Sequence, residues 1–176
     1  AGPSGQINGL VRQFGNNTPI EGALVTIAEN PEIFATTDVT GTYLLEVEPG
    51  TYNVTVHKQG FCDQVFEGVV VEDDGTSTRN ATMRQPNAHF SVTSLNIFTT
   101  SGDSGEDIFE IVNPSPATCE VSYNITTNRP WLQTNPASGD VQPSGATTIA
   151  VTADASTLQP GDYTGLIIVT HNDDDS

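Results

Sequence analysis

The sequence predicts an all-β protein made of two β-sandwiches in tandem, and three observations carry that prediction. Helical periodicity is absent throughout the 176 residues. Short runs of alternating apolar and polar residues recur about every 8 to 12 residues with turn residues between them, as sandwiches require. Charged residues make up 15% and apolar residues 35%, so the polar remainder is largely Thr, Ser, Asn and Gly. That balance serves short strands and many turns better than helices.

The first run of strands is expected at residues 6–12, 23–28, 34–37, 42–47, 51–58, 64–71 and 76–83. Turn signals separate them: Gly15-Asn16-Asn17, Asn30-Pro31, Asp38 to Gly41, Pro49-Gly50 and Asp73-Asp74-Gly75. Within 51–58, Tyr52, Val54 and Val56 fall on one face and Asn53, Thr55 and His57 on the other. Tyr43, Leu45 and Val47 alternate likewise, so one face is core and the other wet. The pattern breaks at residues 84–89, where Gln85-Pro86-Asn87 cannot continue a strand. Strands resume at 90–94, 95–99, 107–112, 119–126, 131–133, 147–152 and 161–170. The division gives domains at 1–85 and 86–176, each small but large enough to fold alone.

Five Lys and Arg stand against 22 Asp and Glu, a formal net charge of −17. Nucleic-acid binding draws most of its affinity from clustered cations, so that class is excluded. An anionic membrane surface is a poor partner for the same reason. No run approaches the ~20 apolar residues of a membrane span, so insertion is not expected. The start, Ala1-Gly2-Pro3-Ser4, has neither initiator Met nor signal peptide and reads as a piece of a longer precursor. High acidity and few lysines suit a secreted or cell-surface protein.

Gly5 to Val11, Thr18-Pro19-Ile20-Glu21-Gly22-Ala23-Leu24-Val25-Thr26-Ile27 and Thr37-Asp38-Val39-Thr40-Gly41-Thr42-Tyr43 recur in an order worth noting. With Pro49-Gly50-Thr51-Tyr52-Asn53-Val54-Thr55-Val56 and Gly60-Phe61, they make residues 5–84 resemble the carboxypeptidase regulatory-like domain. The resemblance implies a prealbumin-type sandwich. Phe109-Glu110-Ile111-Val112-Asn113, Trp131-Leu132, Pro136 to Val141 and Gly161 to Val169 make residues 90–172 resemble bacterial immunoglobulin-like modules of the BACON type. Such modules end with one more Val-rich strand, whereas this chain stops at Asn172-Asp173-Asp174-Asp175-Ser176. The expectation is therefore a sandwich cut one strand early, or one whose edge is open to another chain. Leu166 and Ile168 point opposite to Ile167 and Val169, so the last strand is apolar on both faces. Something is expected to cover Leu166 and Ile168.

Chemistry is sparse. Gly102-Asp103-Ser104-Gly105 spells the nucleophile motif of trypsin-like proteases, but Glu106-Asp107 follows it, and His57 lies in the other predicted domain. A triad needs hydrogen-bond reach, so the motif reads as a turn and no enzyme is expected. Calcium needs six to eight converging oxygens. Asp103, Glu106 and Asp107 are the candidates for it, against the commoner reading of solvated acidic turns. No other cofactor is expected; His57, His89 and His171 are scattered and no Cys-x-x-Cys exists for zinc.

Cys62 and Cys119 fall one in each domain, which leaves open a disulfide between them or two reduced thiols. Trp131, the single tryptophan, is the candidate for stacking a sugar, against packing at a strand end. Tyr123, Tyr163 and Phe109 are expected on core faces, which leaves it no companion. The leading reading is a non-catalytic accessory module, spacer and interaction surface of a larger secreted or surface bacterial protein. That parent is expected among peptidases, polysaccharide-degrading enzymes or adhesins. Its partners are other domains of the parent polypeptide, a glycan or a cell-surface protein. The alternatives are a carbohydrate-binding module and a calcium-dependent adhesion module.

Overall fold

A computed structural model describes residues 4–173. The chain forms two compact units, residues 1–85 and 86–176. Each is a β-sandwich with its own core, prealbumin-like first and immunoglobulin-like second.

In the first unit the strands are β1 (Gly5–Gln13), β2 (Leu24–Ile27), β3 (Asn30–Thr36), β4 (Thr42–Val47), β5 (Gly50–His57), β6 (Gln64–Val71), β7 (Thr76–Thr78) and β8 (Ala81–Met83). One sheet has β1 at its centre, antiparallel to β4 and parallel to both β7 and β8. The other runs β3-β2-β5-β6, antiparallel throughout. Period-two alternation puts Ile7, Tyr43, Leu45, Val54 and Val56 between the sheets, all fully or nearly fully buried. The single strand expected at 76–83 is two short ones, interrupted at Arg79-Asn80. There the Asn80 side-chain oxygen accepts the Leu10 N–H at 2.9 Å, so a side chain substitutes for one rung of the ladder.

The turn before β4 is set by two side chains. Thr37 is buried; its hydroxyl donates to the Ile20 carbonyl at 2.6 Å and accepts the Ala23 N–H at 2.8 Å. Asp38 Oδ1 accepts the N–H groups of Thr40 (2.8 Å) and Thr42 (3.0 Å) and the Thr40 hydroxyl (2.7 Å). This is the physical content of the Thr37-to-Tyr43 stretch: the aspartate closes a turn by taking backbone donors that would otherwise be left to solvent.

The second unit contains β9 (His89–Phe90), β10 (Ser104–Asn113), β11 (Val121–Thr127), β12 (Leu132–Asn135), β13 (Ser138–Val141), β14 (Gly145–Asp154) and β15 (Ile167–His171). They form sheets ordered β12-β14-β10-β9 and β13-β11-β15. Ile111, Val121, Ile149 and Val151 fill the space between them. Asn113, fully buried at the end of β10, donates its side-chain amide to the carbonyls of Cys119 (2.9 Å) and Val141 (3.0 Å). It ties the exits of both sheets together.

Two expectations need correction here. Residues 90–99 form no pair of strands: pairing stops at Phe90, although Leu95 and Ile97 still pack half-buried on the core. The segment has strand-like alternation without a ladder partner. The strand expected at 161–170 begins only at Ile167. Leu166 and Ile168, which the sequence expects something to cover, are 61% and 47% exposed in this chain by itself.

Candidate functional site

The segment spelling the protease-like motif is shaped by packing. Gly102 has a positive φ of 89° and turns the chain into β10. At Gly105 an added Cβ would lie 2.7 Å from Ile97 Cγ2 and 2.9 Å from the Phe98 carbonyl oxygen. The unpaired stretch through residues 97–99 passes so close over β10 that only glycine fits. Both glycines thus have structural causes. His57 belongs to the first unit, where its Nδ1 meets Asp63 Oδ1 at 2.7 Å on an exposed surface.

Around Ser104 the backbone zips onto the end of β14: the Gly102 N–H donates to the Ala155 carbonyl at 3.1 Å, and the Ala155 N–H to the Asp103 carbonyl at 2.9 Å. The register sets Ser104 opposite Asp154, and Thr152 between Glu106 on one side and Gln133 on the other. The result is an open polar depression of about 350 Å³, lined by Gly102, Asp103, Ser104, Gln133, Thr152 and Asp154. Asp103 Oδ1 accepts the Ser104 N–H, and Asp154 Oδ1 the Ser156 N–H, both at 2.8 Å. Hydrogen bonding to the Ser156 side chain, then to its backbone, holds the Asp154 carboxyl below its ordinary range. The depression offers hydroxyl, amide and carboxylate groups.

The three calcium candidates are not gathered. Glu106 and Asp107 are successive residues of β10 and project to opposite faces of the sheet. Among the described residues, no group of three or more His, Cys, Asp or Glu is placed to hold a metal ion.

Trp131 is half-buried against the second core, with its ring centroid 6.2 Å from that of Tyr163 and the planes at 67°. Gly165 makes room: a Cβ there would lie 2.9 Å from Leu132 Cδ2 and 3.3 Å from Trp131 Cη2. Tyr163, expected on a core face, is 49% exposed, because residues 162–166 pair in no ladder and the alternation of β15 does not reach back to it. The Trp131 carbonyl accepts the Asp154 N–H at 2.8 Å, so its backbone adjoins the polar depression. Gln133, Thr152 and Asp154 went unseen in the sequence, since only cross-strand register brings them together. Cys62 is buried and donates its N–H to the Arg84 carbonyl at 2.7 Å; Cys119 lies just before β11.

The fold and these surfaces define the class: tandem β-sandwiches of immunoglobulin-like architecture. Within it, residues 6–84 match the model of the carboxypeptidase regulatory-like domain and residues 89–175 that of the viral BACON domain. No curated protein matches it. Among solved structures it is similar to a type II cohesin–X-dockerin complex from Acetivibrio cellulolyticus (21% identity, TM-score 0.39, 44% of this chain and 56% of that one). It is also similar to the major pilin SpaD of Corynebacterium diphtheriae (11% identity, TM-score 0.44, 97% and 56%). A third is the major pilin subunit BcpA of Bacillus cereus (10% identity, TM-score 0.41, 95% and 67%). The chain thus spans a little over half the length of the first two.

Proposed function

We propose that this chain is a non-catalytic spacer and interaction module of a larger secreted, cell-surface or particle-surface protein. The last of these is added because the second family is described as viral. The observation that carries the reading is the succession of two sandwiches, each with a core of its own, with only residues 84–88 between β8 and β9. Units of this kind hold neighbouring domains of one polypeptide at a set distance, and a strongly negative surface keeps them from associating without selectivity.

A disulfide between Cys62 and Cys119 belongs to the same proposal. Its support is that neither cysteine is a free thiol. Small-angle scattering tests the spacer: a scattering curve of one stiff particle, unchanged between low and high salt, is expected. The curve of two beads on a flexible string would overturn it.

The second reading is glycan binding, favoured by Tyr163 standing exposed beside Trp131 at a chain segment that adjoins the polar depression. Aromatic faces and convergent amide and carboxylate groups are the chemistry of sugar recognition. Retention on a glycan array, lost in Tyr163→Ala and Gln133→Ala, is expected on this reading. No retention, or retention indifferent to both substitutions, removes it.

A further inference from the structure

Five residues of the chain are Lys or Arg: Arg12, Lys58, Arg79, Arg84 and Arg129. Such residues ordinarily stand on the exposed surface. Here the first four are half-buried, and all five have their charged heads held by the protein itself. The stretches that a peptidase reaches first lie outside the strands, at residues 91–103 and 155–166 and in the turns at 14–17, 38–41 and 72–75. None of these stretches holds a Lys or Arg.

Hydrolysis after Lys or Arg needs a cationic side chain free to enter a carboxylate-floored pocket, an extended unpaired backbone, and a carbonyl free to enter an oxyanion hole. Arg12 fails on the backbone, because β1 holds it between Thr82 of β8 and Pro19; its Nη1 also donates to the Asn17 carbonyl at 3.0 Å. Lys58 Nζ donates to the Glu21 carbonyl at 2.8 Å, and the Lys58 carbonyl accepts the Phe61 N–H at 3.0 Å inside a turn. Arg79 Nη1 donates to the Thr78 carbonyl at 2.8 Å. The Arg79 carbonyl accepts the Tyr43 hydroxyl and lies against Gly9, where no Cβ would fit. The Arg84 guanidinium lies 3.5 Å over the Phe14 ring, and its carbonyl accepts the Cys62 N–H. Arg129 is exposed, but its Nε donates to the Thr164 carbonyl at 3.3 Å and its carbonyl accepts the Leu132 N–H at 3.1 Å. Pro130 follows it, so the leaving nitrogen there is a ring atom.

We infer that the folded chain offers no cleavable bond to trypsin-like peptidases, the class that cuts after Lys and Arg, and so stays whole where such enzymes act. Placement is the cause. Each cation is docked where the bond after it cannot be attacked, while the loops are written in Thr, Ser, Asn, Gly and acidic residues. This deepens the reading of a secreted or surface module and rests on it for its purpose alone. Scattering tests the spacer and digestion the placement, and either fails without the other.

The test is digestion of the full chain by trypsin at physiological salt, with products read on a reducing gel and by mass. Thr93→Lys and Asp162→Lys place a cation on exposed residues of the two long stretches outside strands, and both should melt with the wild type. They are expected to be cut after residues 93 and 162. The wild type yields only through its unfolded fraction, so its cleavage should be about a thousandfold slower or more. The reduced, alkylated and unfolded chain should be cut after Arg12, Lys58, Arg79 and Arg84. Cleavage of the folded wild type after any of the five residues at the rate of the variants would overturn the inference. Variants as resistant as the wild type would overturn it too, since rigidity and not placement would then protect the chain. So would an unfolded chain that stays whole.

Discussion

Tyr43 shows how one buried polar atom fixes a strand crossing. Its ring is 2% exposed and its hydroxyl donates to the Arg79 carbonyl at 2.7 Å, at the interruption between β7 and β8. Burial pushes the phenol up to about 12 from 10.0, with Arg79 opposing. The unfolded chain therefore ionises first, so this contribution is whole below pH 10 and is lost as pH rises toward 12. Tyr43→Phe is expected to cost about 1 kcal/mol at pH 7 through the lost hydrogen bond. The same variant should lose less stability than the wild type between pH 9 and 12, as urea melts across that range would show. Tyr123, whose phenol is raised by burial and then by Asp140, preserves part of the alkaline loss.

Asp38 has the opposite sign. Hydrogen bonds from the Thr40 side chain and from the backbones of Thr42 and Thr40 hold its carboxyl below 3.8. Its contribution is whole above that value and is lost as pH falls through the lower, folded value. Asp38→Ala should lower the Tm at pH 7, with the gap to wild type closing in acid; a gap that persists at pH 2 would contradict this.

At the scale of elements, successive residues of a strand diverge, and this bears on the calcium candidates. Glu106 and Asp107 lie on opposite faces of β10, so added calcium should leave the Tm where EDTA leaves it, and a calcium-dependent rise of several degrees would contradict that. Gly165→Val is expected to push on Leu132 and Trp131, shifting the tryptophan emission with a modest loss of Tm. Most strands were legible in the sequence because alternation follows directly from the pleat: Tyr43, Leu45 and Val47 are all buried, as their spacing requires. Residues 90–99 misled because alternation reports one buried face and not a hydrogen-bonded neighbour. β13 was hidden because Ser138-Gly139-Asp140-Val141 holds one β-branched residue. The polar depression was illegible for a related reason: Gln133, Thr152 and Asp154 meet only through register.

For the whole molecule, charge and the proposed Cys62–Cys119 disulfide matter most. At −17, with four of its five cations in the first unit, the chain repels itself. Salt should therefore raise the Tm, since screening within a Debye length of ~10 Å at 0.1 M relieves repulsion between exposed carboxylates. A Tm indifferent to salt would contradict that reading. Composition and the break at Gln85-Pro86-Asn87 announced two modules. Whether Cys62 and Cys119 are linked, as proposed above, was illegible, because two cysteines separated by 56 residues of sequence are silent about where their side chains go. A stiff spacer depends on that linkage more than on any surface charge. The direct measurement is a peptide map of the chain, denatured without reductant, together with its intact mass. A mass lighter by two hydrogens than after reduction, and one linked pair of peptides carrying Cys62 and Cys119, is the expected result. Alkylation of both cysteines in the unreduced chain would contradict the stapled spacer.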